Sequence, residues 1–278
     1  MRPLQVTLPD ATLSVRHFGE GAPGRGFLLV HGLASNARLW DETAAALVAA
    51  GNPTWAVDLR GHGDSTLPDS GFDTATAAKD LAAVCAALDL PSVIVVGQSW
   101  GGNVVVRFAA EHPELVSGAA LVDGGWIDLA GEFASWADCE QALRPPSVDG
   151  MRAGDLAAYL RQAHPDWSEA AVAAIAYNLR ELPDGTVERR LPIPRHMEIV
   201  RDMWDQPVWD WLHRITVPTL LLPAMSTDPV RAERTRARVE RAAAALPDAR
   251  IREYAGGDHD LHAQRPKELA VDLLSLAG

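Results

Sequence analysis

The chain has 278 residues, 47% of them hydrophobic and 22% charged, which fits a globular fold with a sizeable core and excludes disordered, collagen-like and low-complexity classes. Its 37 acidic residues outnumber 25 basic ones, for a formal net charge of −12. That charge repels phosphate backbones and anionic lipid surfaces, so neither nucleic acid nor a membrane is an expected partner.

Along the chain, residues 4–8 and 12–18 read as strands joined at Pro9-Asp10. The opening segment alternates like a strand and lacks the charged-then-apolar order of a signal peptide. Residues 26–30 (GFLLV) form a short continuous apolar run, the pattern of a strand buried on both faces. A helix is predicted over 36–50, stopped by Gly51-Asn52-Pro53, then a strand over 54–57. An alanine-rich helix over 74–88 precedes a buried strand at 92–96 (SVIVV). A helix over 99–111 and a strand over 116–122 follow. This alternation implies a parallel sheet with helices on both faces.

The rhythm stops near Gly124. Helices are predicted over 132–143, 154–163, 168–182 and 195–204, punctuated by Pro145-Pro146, Pro183-Asp184-Gly185 and Pro192-Ile193-Pro194, with no buried strand among them. The α/β pattern resumes with a strand over 219–222, a helix over 230–246, a strand over 250–254 and a helix over 266–276. The expected organisation is a catalytic core of residues 1–124 and 215–278 with a helical cap of residues 125–214. No stretch approaches the ~18 consecutive apolar residues of a membrane helix. Cys85 and Cys139 form no Cys-x-x-Cys pair and read as two reduced thiols, so a cytoplasmic chain is expected.

Chemistry concentrates at strand ends. Gly97-Gln98-Ser99-Trp100-Gly101 follows the SVIVV run and opens a helix, the context that turns a common G-x-S-x-G string into a nucleophile elbow. A serine needs a base, and Tyr254-Ala-Gly-Gly-Asp-His259-Asp-Leu-His262 offers two histidines after the last strand. His259, directly past the glycine turn, is the preferred base, and His262 is the alternative. A metal reading of Asp258-His259-Asp260-His262 finds no distant ligand set, so no metal is expected.

The carboxylate that orients the base is left between two residues. Asp228 follows the strand 219–222 and is favoured by the chain order Ser, Asp, His; Asp123 ends the strand 116–122 and is the alternative. An oxyanion hole would pair the Trp100 amide with that of Leu33, in the loop His31-Gly32-Leu33. His31, Gly32 and Trp126 are expected beside the substrate. For His31 itself, packing and hydrogen bonding are preferred over a role as a second base. The block Asp58-Leu-Arg-Gly-His-Gly-Asp-Ser65 reads as a turn held by Asp58 and Arg60. Of nine tryptophans, six fall between Gly124 and Arg214, and Trp100 adjoins the serine. Indole surfaces there suit an apolar or aromatic substrate.

Together His31-Gly32, DLRGHGDS at 58–65, GQSWGG at 97–102 and GGDHDLHAQRP at 256–266 resemble the α/β-hydrolase superfamily, in particular its lidded serine esterases and lactonases. The resemblance implies an eight-stranded, mostly parallel sheet, antiparallel at its second strand, with helices on both faces and a helical cap after the sixth strand. It implies Ser99 as nucleophile, His259 as base and Asp228 as acid. The turn Pro223-Ala-Met-Ser-Thr lacks the glycine the family usually keeps before that acid, and some members place the acid after the sixth strand, at Asp123 here. Relatives that use an elbow aspartate, the haloalkane dehalogenases and epoxide hydrolases, are excluded by Ser99. The expected activity is hydrolysis of a carboxylic ester or lactone of a small molecule, without a cofactor, by a monomer or homodimer. Thioester hydrolysis, carbon–carbon bond hydrolysis, perhydrolysis and a non-catalytic receptor of the same fold are the alternatives.

Overall fold

The computed structural model describes residues 3–278. Eight strands form one sheet: β1 (Leu4–Thr7), β2 (Thr12–Phe18), β3 (Gly26–Val30), β4 (Thr54–Val57), β5 (Val93–Gln98), β6 (Val116–Val122), β9 (Thr219–Leu222) and β11 (Ala249–Ile251). Their spatial order is β1-β2-β4-β3-β5-β6-β9-β11. Only β2 runs against the rest, pairing antiparallel with β1 and β4; from β4 to β11 every pairing is parallel.

The apolar run of β3 shows why the middle of the sheet is buried twice. Phe27 and Leu29 face one side, with Trp40 and the helices α1 (Asp41–Ala49) and α12 (Pro266–Leu274). Leu28 and Val30 face the other, with α2 (Thr74–Ala87) and α3 (Trp100–Glu111). Strand alternation sends successive side chains to opposite faces, so a run buried on both must be apolar throughout.

Between β6 and β9 lie α4 (Leu129–Glu132), α5 (Trp136–Leu143), α6 (Ala153–Ala163), α7 (Glu169–Ala176), α8 (Ile193–Asp205) and α9 (Trp209–Leu212). The second face's core runs on into this segment through Trp126, Leu129, Val200 and Met203. The helix expected over 168–182 is shorter than predicted. After α7 the chain turns into a hairpin of β7 (Leu179–Glu181) and β8 (Val187–Arg189). The Pro183-Asp184-Gly185 turn makes it: Gly185 takes φ 81°, and Asp184 Oδ1 accepts from Thr186 N at 2.9 Å. The strand expected over 250–254 is split, because Tyr254–Ala255 (β12) leaves β11 to pair with Ala224–Met225 (β10). Beyond β10 runs α10 (Pro229–Ala245), and α11 (Leu261–Gln264) follows β12. Both cysteines are buried and unbridged. No helix among the described residues is long and apolar enough to cross a membrane.

Candidate active site

Ser99 stands between the end of β5 and the start of α3, with φ 53° and ψ −127°. A non-glycine residue there is strained by roughly 1–3 kcal/mol and persists only where neighbours over-determine it. Those neighbours are backbone. A Cβ on Gly97 would strike the Gly101 carbonyl, and one on Gly124 would strike Ser99's own backbone. Of four non-glycine residues with positive φ among those described, three gather here: Ala34, Ser99 and Asp123.

Ser99 opens on a cavity of about 440 Å³ that is also lined by Leu33, Trp100, Asp123, Trp126 and His259. Its outer wall is largely apolar, with Ile127, Leu129, Leu143, Val200 and Met203, and ends at an Arg238–Glu132 ion pair of 2.9 Å. Trp100 does not float over the site. Its Nε1 donates to Thr74 Oγ1 at 3.2 Å, and Thr74 in turn donates to Asp202 of α8 at 2.6 Å. Three of the six tryptophans of residues 125–214 carry arginines on their rings: Arg201 stacks on Trp136, Arg241 on Trp209, and Arg107 and Arg214 on Trp211.

His259 Nδ1 donates to Asp123 Oδ2 at 2.6 Å, leaving Nε2 for the cavity. The ring is packed by protein on its inner side, while 52% of the side chain is open along the cavity edge. Burial opposes its protonation. The Asp123 hydrogen bond and charge, helped by Asp260 and Asp258, outweigh burial and lift the imidazole to about 9. Asp123 is itself fixed: its Oδ1 accepts from Ala224 N at 3.0 Å, and its backbone N–H donates to Leu222.

Asp228, the carboxylate favoured from chain order, is not brought to His259. It caps α10, with Oδ1 accepting from Val230 N at 2.8 Å, and its side chain is 51% exposed. The cause lies in the strand extension. β10 continues past β9 to pair with β12, which carries residue 228 outward to the start of α10. His262 does not line the cavity either. It is fully buried against Trp40, with ring centroids 4.3 Å apart, and burial drives its imidazole down to about 3.

His31 and Gly32 are not among the residues lining the cavity, contrary to expectation, whereas Trp126 is. His31 is fully buried and spends both ring nitrogens on backbone. Nδ1 donates to Gly32 O at 2.7 Å, and Nε2 accepts from Leu59 N at 3.0 Å. Burial holds its imidazole neutral, down to about 4. His62 does the same one step on, accepting from Ala34 N at 3.2 Å. The two imidazoles therefore fix the loop that presents Leu33. Asp58 braces the same loop by accepting from Ala37 N at 2.7 Å, and Arg60 is clamped by Asp80 and Asp10.

One site residue was missed in the sequence. Gln98 is buried, and its Nε2 donates to the His259 carbonyl at 3.0 Å. A polar side chain ending an apolar buried strand was the available signal, since a buried amide must find a partner. Among the described residues no group of three or more His, Cys, Asp or Glu side chains is arranged to hold a metal ion.

A serine on a strained backbone turn at a helix N-terminus, sharing a cavity with an imidazole held by a carboxylate, can be activated as a nucleophile. The family model for the alpha/beta hydrolase fold matches residues 27–266. The chain belongs to the α/β-hydrolase family. An uncharacterized protein of Mycobacterium tuberculosis is 35% identical over 112 residues, 40% of this chain and 33% of that one, so the chain spans about a third of that curated relative's length. A non-heme haloperoxidase of Rhodococcus erythropolis is 27% identical over 277 residues, 97% of each chain. Among solved structures, E-2-(acetamidomethylene)succinate hydrolase superposes with a TM-score of 0.79 at 23% identity, covering 99% of this chain and 98% of that one.

Proposed function

We propose that this α/β-hydrolase cleaves a carboxylic ester or lactone of a fairly apolar small molecule through an acyl-enzyme on Ser99. The observation that carries the reading is the 2.6 Å bond from His259 Nδ1 to Asp123 Oδ2, in the cavity onto which Ser99 opens. Ser99 Oγ attacks the carbonyl carbon while His259 Nε2 takes its proton. Asp123 fixes the tautomer and steadies the imidazolium. The amides of Leu33 and Trp100 receive the oxyanion. His259 then returns the proton to the leaving alkoxide, and water, deprotonated by the same ring, releases the acid. Residues 125–214 act as the lid, whose apolar wall selects an apolar acyl or alcohol part.

The test is labelling with a fluorophosphonate, followed by an ester, lactone and thioester panel, on wild type and Ser99→Ala. Wild type labels at Ser99 and turns over an ester or lactone, and the variant does neither. A wild type that fails to label overturns the nucleophile. Labelling without turnover, together with ligand-induced thermal stabilisation, favours a receptor. The full-length match to a haloperoxidase supports a second reading, in which hydrogen peroxide instead of water attacks the acyl-enzyme and a peracid leaves. Peracid formation from a short carboxylic acid and peroxide, lost in Ser99→Ala, separates that reading from hydrolysis.

A further inference from the structure

A second cavity lies behind the loop that carries Leu33. Leu33 faces the catalytic cavity, while the next two residues, Ala34 and Ser35, line the second one, whose volume is about 210 Å³. A single water needs only about 10–15 Å³ of such space, so the cavity has room for a small organic molecule. One side is apolar, formed by Leu156, Leu160 and Ile175. The other carries Arg189, Arg190, His62 and Ser35, and no carboxylate lines it.

Arg190 is already committed. It donates to the Tyr177 carbonyl at 2.7 Å, lies over the Tyr177 ring, and has Asp64 nearby. Arg189 is not committed. Its only side-chain bond among the described residues runs to the Pro146 carbonyl at 2.8 Å, and no acid pairs with it. Its Nε is buried without a partner, and so is the hydroxyl of Ser35, a residue only 7% exposed. Burial pushes the guanidinium down with nothing to offset it, and its charge reaches His196 on the catalytic cavity. A half-buried cation without a counterion is costly in a chain as acidic as this one. The buried Ser35 hydroxyl, without a partner on the same cavity, is a second unmet demand.

We propose that this cavity is a binding site for a small aliphatic carboxylate, its charge met by Arg189 and Ser35 and its chain laid on Leu156, Leu160 and Ile175. The guanidinium supplies charge and a donor fork, which suits a carboxylate better than a neutral amide. The ligand's size follows from the cavity: a chain of a few carbons fits, and a long acyl chain does not.

The probe is n-butyrate, titrated calorimetrically into the Ser99→Ala protein, which requires no turnover and so does not depend on the hydrolase reading. Saturable one-to-one binding is expected, with n-butyramide and decanoate binding at least about tenfold more weakly. Arg189→Gln raises the dissociation constant roughly tenfold or more, and Ser35→Ala raises it by a smaller factor. Ile175→Phe, which fills the cavity, abolishes binding. Arg238→Gln, on the catalytic cavity, leaves it unchanged. Thermal melts confirm that each variant is folded, and the chain-length series on unaltered residues stands even where a variant is not. No butyrate binding, equal binding of butyramide, or an affinity that falls with Arg238→Gln and not with Arg189→Gln overturns the proposal.

Discussion

The carboxyl ends of β6 and β9 are neighbours in the sheet, yet the aspartates that follow them are held in opposite ways. Asp123 comes directly off β6 in a left-handed conformation, with φ 41°, one oxygen on a backbone amide and the other on His259. Asp228 sits six residues beyond β9, half exposed, with its carboxylate turned to the first amides of α10. Lying after a strand end is thus a weak guide to role. What separates the two is where the oxygens are spent: Asp123 gives one to a backbone amide and the other to His259, whereas Asp228 turns its carboxylate to the first amides of α10.

The sharpest way to break this comparison is to exchange the two carboxylates for amides. Asp123→Asn is expected to lower kcat by about 10³–10⁴-fold in a folded protein, because the imidazole loses its tautomer and its counter-charge. Asp228→Asn leaves kcat unchanged, since asparagine caps a helix as well as aspartate does. Steady-state kinetics on the best ester substrate decides, and a reversed pattern returns the acid to β9.

Gly124→Ala tests whether the neighbourhood of Asp123 is built around close backbone approach. The added methyl meets Ser99's backbone, so a loss of roughly 1–3 kcal/mol in urea unfolding is expected, with activity falling alongside. Unaltered stability and kinetics would mean that the elbow is looser than its geometry indicates.

The pH dependence sharpens the same pair. His259 must be neutral to accept a proton, and Asp123 raises its value from 6.5 to about 9, so kcat/KM rises with pH along a limb that lies above pH 6.5. Asp123→Asn moves that limb to lower pH. Linkage runs in the matching direction. The raised value adds stability that is fully present below about pH 6.5 and is lost as pH rises through about 9. Melting temperatures across that window, in wild type and Asp123→Asn, check it.

The smallest effect belongs to the other carboxylate. Asp228→Ala removes a helix cap and costs about 0.5–2 kcal/mol, with no change in kcat.

These outcomes bear on what the residues could announce beforehand. The parallel sheet with helices on both faces was legible because buried runs such as GFLLV and SVIVV alternate with helical stretches. That Ser99 and His259 would line one cavity was legible because each follows closely on a strand at the same edge of the sheet. Which aspartate would meet His259 was not, because that depends on the two-residue pairing of β10 with β12, too short to leave a pattern. The hairpin at 179–189 hid behind a helix-like stretch, although Pro183-Asp184-Gly185 marked its turn. His31 was expected beside the substrate as part of the loop His31-Gly32-Leu33, although its strand-end position already favoured packing and hydrogen bonding. Its burial follows from the amide of Leu59, a partner no spacing rule supplies.

The bond from Gln98 to the His259 carbonyl has a mechanical consequence. Gln98 immediately precedes Ser99 in the chain, so Ser99 and His259, the proposed nucleophile and base, are tethered through one amide bridge rather than only through the four strands from β5 to β11. That bridge ties the His259 backbone directly to the turn that carries Ser99. The separation on which the proposed proton transfer depends is then set by a local contact as well as by the larger frame.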